Sequence, residues 1–142
     1  MYDCNCLIYF NVLCLRVTIK EETMLILNFV PQKLSTYELK NIKRGLRNYF
    51  EYADGVQCHI TSLFFSEKLM SGQGALDNLY GADTISEKLF DMEFLVSPRA
   101  YFCINTRGAE TLINTIERLS NLHKNMTLLD ICCGTGSVRF RS

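Results

Sequence analysis

The hydrophobic period changes several times along the chain, and each change marks an element. Residues 15–20 (LRVTIK) alternate apolar with polar, the pattern of a half-buried strand. Residues 24–30 (MLILNFV) run apolar without a break up to Pro31, which suits a buried strand. Ser35 and Glu38 then have the S-x-x-E spacing of a capping box. Leu39, Ile42, Leu46, Tyr49 and Phe50 follow at helical spacing, so a helix is expected here, closed near Gly55. Residues 56–65 (VQCHITSLFF) predict another strand, with His59 inside it as a structural histidine. Residues 67–78 carry Ser71, Gly72 and Gly74 and predict an exposed loop. Short strands are expected at 79–81 and 89–96, and Ser97-Pro98 breaks the sheet. A second amphipathic helix is expected from about Thr106 to Leu122, with Ala109, Leu112, Ile113, Ile116 and Leu119 as its apolar stripe. Asn105 is placed to cap it. Residues 127–132 (TLLDIC) predict a short apolar strand that opens onto a glycine loop. The chain has no internal repeat and no low-complexity segment.

Composition narrows this picture. A chain of 142 residues makes one domain, or a small domain plus part of another, and 48% apolar content supplies a real core. Fifteen basic residues balance fifteen acidic ones, so any nucleic-acid contact must come from local patches. The seven cysteines (Cys4, Cys6, Cys14, Cys58, Cys103, Cys132 and Cys133) include no C-x-x-C pair, so no metal site is expected. Met1-Tyr2-Asp3 is not a basic signal-peptide start, which points to an intracellular protein with reduced, small apolar cysteines. The apolar run from Cys6 to Leu15 is about half the length that spans a bilayer, so it reads as a core strand and no membrane role is expected. Residues 1–15 otherwise carry no cap, turn or motif and stay unassigned.

Chemistry concentrates at Leu128-Leu129-Asp130-Ile131-Cys132-Cys133-Gly134-Thr135-Gly136. An apolar strand, an acidic residue and then G-x-G is how an open α/β sheet meets a nucleotide-like ligand. Position 139 is Arg139, so the G-x-G-x-x-G dinucleotide fingerprint is absent. D-x-x-x-G-x-G has instead the form of motif I of class I methyltransferases. An ordinary strand–glycine turn would share the pattern; the S-P-x-A-Y-F segment and the helix before the loop set this one apart. Lys40, Lys43, Arg44 and Arg47 offer a basic face that could meet nucleic-acid phosphates, or could form a solvated face paired with Glu38 and Glu51. Arg99 and Arg107 could also meet phosphate. Tyr101 and Phe102 suit either an aromatic wall near an adenine or core packing. His123, at a helix end, has no partner at catalytic or metal spacing.

Ser97-Pro98-Arg99-Ala100-Tyr101-Phe102-Cys103-Ile104-Asn105-Thr106, then Gly108-Ala109-Glu110, then Leu129 to Gly136, occur in an order that resembles the eukaryotic tRNA (uracil-5-)-methyltransferase homologues. Phe29-Val30-Pro31-Gln32-Lys33-Leu34 and Ile60-Thr61-Ser62-Leu63-Phe64-Phe65 add weaker matches, so the resemblance covers about residues 15–137. It implies an α+β fold: a small β-rich central domain, residues 16–96 on the RNA side, followed at 97–142 by the first strand–loop of a truncated class I (Rossmann-like) domain. It implies S-adenosyl-L-methionine as cofactor, held by Asp130, Cys132, Gly134, Gly136 and Ser137, with Cys103 where the family has a cofactor-contacting glutamine. It implies RNA, with tRNA the expected class, as partner. In the family a cysteine thiolate adds at uracil C6, C5 takes the methyl group, and a base removes the C5 proton. Those later residues have no counterpart here, so this chain is expected to be inactive alone. The alternative is a non-catalytic truncated product that binds RNA weakly.

Overall fold

The computed structural model describes residues 10–31, 34–69 and 72–121, together with 123, 125–127, 129–131, 133, 134 and 136. Its frame is a four-stranded mixed sheet in the order β1 (Phe10–Val17), β2 (Thr23–Phe29), β3 (Ser62–Leu69), β4 (Gly72–Gly81). β2 and β3 run parallel, which requires a crossover, and helix α1 (Thr36–Tyr52) supplies it. The other neighbours are antiparallel. A separate hairpin, β5 (Ile85–Leu89) with β6 (Met92–Val96), and helix α2 (Thr106–Ser120) complete the described elements.

The apolar run of β2, broken only by Asn28 after Met24, serves both faces of the sheet at once. Leu25, Leu27 and Phe29, with Leu63 and Phe65 of β3, form one cluster, against which Leu39, Ile42, Leu46 and Phe50 of α1 pack. Met24 and Ile26, with Phe64, meet Ile85 and Val96 of the hairpin in the other, and Cys14, Ala100 and Phe102 pack onto it. Parallel strands covered on both sides read as continuous hydrophobic runs for this reason. The Ser35 hydroxyl accepts from the Glu38 amide at 3.3 Å while the Glu38 carboxylate accepts from the Ser35 amide at 2.8 Å, so the capping box forms as its spacing predicts.

Several expected boundaries move. The strand expected at 15–20 ends at Val17, because the Thr18 hydroxyl accepts from the Glu22 amide and Glu21 turns left-handed (φ 63°) to close the hairpin. The run Cys6–Leu15 is not a core strand where it is described: β1 is a sheet edge, with Leu13 and Leu15 exposed. The strand expected at 56–65 begins only at Ser62. A 3-10 turn, Asp54–Cys58, and a left-handed His59 (φ 49°) take its first half, so His59 is an exposed loop residue. α1 is closed by Ala53, whose amide donates to the Tyr49 carbonyl, and not by Gly55, which lies in the 3-10 turn that follows, where a Cβ would come within 2.7 Å of the Tyr49 ring.

The exposed loop expected at 67–78 is mostly strand. β3 runs on to Leu69 and β4 starts at Gly72, because ladder hydrogen bonds need only backbone and an edge strand tolerates polar and glycine positions. The separate strand at 79–81 is the end of β4. The single strand at 89–96 is the second half of a hairpin that turns at Phe90 (φ 54°) and Asp91. α2 stops at Ser120, with Asn121 left-handed after it. Of its expected stripe only Ile113 is buried, while Leu112, Ile116 and Leu119 stand exposed. The strand expected at 127–132 is absent among the described residues. Leu129 and Ile131, 79% and 76% exposed, have no neighbouring strand to pair with.

Candidate functional site

The glycine loop keeps its chemistry without its strand. Asp130 is half-buried, and its Oδ2 is shut from solvent with no hydrogen-bond partner. A buried carboxylate oxygen left unpaired is costly, so this atom fits a ligand donor. Gly134 and Gly136 adopt φ 56° and 74°, the left-handed region that disfavours a Cβ. The Gly136 amide donates to the Cys133 carbonyl at 2.8 Å, tightening the turn. No atom lies within 4 Å of where a Gly134 Cβ would stand, which leaves open space above the loop. An unpaired acceptor beside glycine backbone fits the amine-bearing end of S-adenosyl-L-methionine. Cys132 and Ser137 lie outside the described residues.

Cys103 is half-buried, and its thiol donates to the Asn105 carbonyl at 3.5 Å rather than toward the loop. Asn105 caps α2 as expected, its Oδ1 accepting from the Gly108 amide at 2.9 Å. Phe102 is core, 5.6 Å from the Phe94 ring, whereas Tyr101 is 83% exposed, so the two do not form one wall. His123 is exposed, and its Nδ1 accepts from the Asn125 amide.

The basic residues of α1 divide. Lys43 bridges Glu67 at 2.6 Å and Asp77 at 2.5 Å and lies 5.0 Å over the Phe65 ring. Burial alone would depress its pKa, but the hydrogen bonds to Asp77 and Glu67 outweigh it and raise the pKa. Lys43 thus ties the helix to β3 and β4 and is not free for a phosphate. Arg47 pairs with Glu51 at 2.7 Å, which raises the guanidinium pKa and lowers that of the carboxylate. Glu38 is taken by Ser35, not by a lysine. Arg44 donates to Asn41, and Lys40 is exposed. Arg99 reaches the Gly74 carbonyl at 2.8 Å, and Arg107 is exposed in the first turn of α2. Lys40, Arg44, Arg99 and Arg107 therefore remain candidates for phosphate.

One charged residue escaped the sequence reading. Glu87 is only 7% exposed and sits on the same strand face as Ile85 and Leu89. An acidic residue at an apolar parity position was the available signal. Among the described residues no cluster of His, Cys, Asp and Glu could hold a metal ion, and no helix is long and apolar enough to cross a membrane.

No family model matches the chain. Among curated proteins it is 39% identical over 134 residues to the human tRNA (uracil-5-)-methyltransferase homolog B, which covers 92% of this chain and 27% of that protein. It is 37% identical over 131 residues to the mouse tRNA (uracil-5-)-methyltransferase homolog A, covering 89% of this chain and 21% of that protein. The chain thus spans about a quarter of the length of these relatives. In fold it matches the solved Pyrococcus abyssi tRNA (uracil-54, C5)-methyltransferase in complex with S-adenosyl-L-homocysteine. That match has a TM-score of 0.62 and 22% identity, and it covers 92% of this chain and 29% of that one.

Proposed function

We propose that this chain, homologous to the tRNA (uracil-5-)-methyltransferase homologues through nearly all of its length, supplies two parts of an RNA uracil-C5 methyltransferase. Residues 16–96 are its β-rich, RNA-side domain. Residues 97–142 begin its cofactor domain. The unpaired Oδ2 of Asp130 beside two left-handed glycines is the observation that carries the cofactor half. When bound, S-adenosyl-L-methionine supplies an electrophilic methyl group. Asp130 would accept from its amine, and Gly134 and Gly136 would admit it close to backbone. The RNA half rests on the relatives and on the exposed Lys40, Arg44, Arg99 and Arg107, whose charges suit phosphate contact without base reading.

A second reading, a non-catalytic module that binds RNA weakly, draws on the exposure of Leu129 and Ile131, side chains that the strand of a finished cofactor cradle would bury. Calorimetric titration with S-adenosyl-L-homocysteine separates the two. Binding lost on Asp130→Ala supports the cofactor reading. Absence of binding while tRNA still shifts in a gel supports the second.

A further inference from the structure

The edge of β1, the β5–β6 hairpin and residues 102–104 line an open cleft of about 210 Å³. Leu15, Val17, Phe102 and Ile104 give it apolar walls, and Arg16 and Glu87 give it opposite charges. The Oε1 of Glu87 accepts from the Ile19 amide at 3.3 Å and the Lys88 amide at 3.0 Å. No donor among the described residues reaches its Oε2, which keeps contact with solvent although the residue as a whole is more than nine-tenths buried. Arg16 commits one N–H, from Nη1, to the Ser97 carbonyl at 3.3 Å, and among the described residues no other acceptor takes the rest of its donor fork. The cavity is smaller than the roughly 300–1,000 Å³ of pockets that hold drug-sized ligands, which suits one planar ring system between apolar walls.

We propose that this cavity takes an unstacked guanine base of the RNA. Its N1–H and 2-amino group donate to Glu87, and its O6 accepts from Arg16. Among the four bases only guanine sets an acceptor beside two adjacent donors on its pairing edge. Uracil places a carbonyl on each side of its single N–H, and one of them would face the carboxylate. The cavity therefore reads a nucleotide other than the methylated uridine. Single-stranded RNA is commonly recognised in this way, by splayed bases read on their edges. The inference rests on the RNA-acting reading above.

The test titrates the 142-residue chain with guanosine 5′-monophosphate and, separately, uridine 5′-monophosphate. Two readouts are followed: the backbone amide shifts of Ile19 and Lys88, and the alkylation rate of Cys103, which also lines the cavity. The guanosine nucleotide is expected to shift both amides, to slow alkylation, and to bind at least about tenfold tighter than the uridine nucleotide. Glu87→Gln keeps an oxygen for the two amides but puts an NH2 group at the open position, and should erase that preference. Arg16→Leu should weaken the guanosine nucleotide about tenfold, and carries the test if the Glu87 variant fails to fold. Equal responses to both nucleotides, or an unprotected Cys103, overturn the proposal. Gel shift with tRNA is measured in parallel. Binding of tRNA without any guanosine response removes the pocket and leaves the RNA reading intact. A guanosine response without tRNA binding leaves a nucleotide pocket and removes the RNA reading.

Discussion

Gly134 holds φ 56° with open space above it, and both facts bear on what a side chain there would do. Valine is branched at Cβ and resists the left-handed region, so Gly134→Val must either strain or flatten the loop, and its methyl groups would enter the space offered to a ligand. S-adenosyl-L-homocysteine binding by calorimetry should vanish in this variant, while the circular dichroism of the sheet stays native. Asp130→Ala should weaken binding less, by roughly 1–3 kcal/mol, because it removes an acceptor without filling the site. Equal binding by wild type and Gly134→Val would make the loop a plain turn. Lys43 offers a test away from the loop. Its raised pKa means that its pairs with Glu67 and Asp77 stabilise the fold at and below neutral pH and fade as pH climbs past the ordinary lysine value. Lys43→Met should cost between the ~0–1 kcal/mol of an exposed pair and the ~3–5 kcal/mol of a buried one. The wild-type advantage in urea denaturation should narrow at strongly alkaline pH. A cost that does not change with pH would mean the loss is one of packing rather than charge.

At the scale of elements, legibility followed the kind of signal. The β2 run and the Ser35–Glu38 box were plain in the sequence because each acts locally: burial on both faces imposes continuity, and the capping box spans only four residues. Ser35→Ala should accordingly cost about 1 kcal/mol, seen as a lower urea midpoint with an unchanged slope. The strand ends were not legible. Glu21, His59 and Phe90, all left-handed without being glycine, set three of the turns, and no residue-type rule marks them. β4 was hidden because its ladder uses backbone, on which polar side chains leave no trace. α2 showed the right period but not its burial, since the stripe identifies an apolar face without saying what covers it. It is held to the rest by Ile113 and by Glu110, which accepts from the Phe90 amide at 2.6 Å. Ile113→Ala should remove roughly 2–5 kcal/mol of that anchorage. Hydrogen exchange across 106–120 should then accelerate while β2 and β3 stay protected. If both accelerate together, α2 and the sheet form one cooperative unit.

For the whole molecule, the sequence motifs led to the relatives, but packing is uneven along the chain. The sheet, α1 and the hairpin form a finished core on both faces, whereas Leu129, Ile131 and most of the α2 stripe remain in the open. The candidate cofactor residues were legible as a spacing, D-x-x-x-G-x-G. Glu87 was not singled out, because one charge on an apolar strand face gains meaning only when a cavity forms around it. Uracil methylation at C5 further needs a thiolate and a base within reach of each other. Among the described residues no cysteine is hydrogen-bonded to a histidine, lysine or carboxylate. Cys14 packs in the core, Cys58 and Cys133 are exposed, and Cys103 bonds a backbone carbonyl. The 142-residue chain, spanning about a quarter of its relatives, should therefore transfer no methyl group from labelled S-adenosyl-L-methionine to unmodified tRNA, even where it binds both. Formation of 5-methyluridine is the readout. Turnover that disappears when a single cysteine is replaced by serine would identify a nucleophile within these residues.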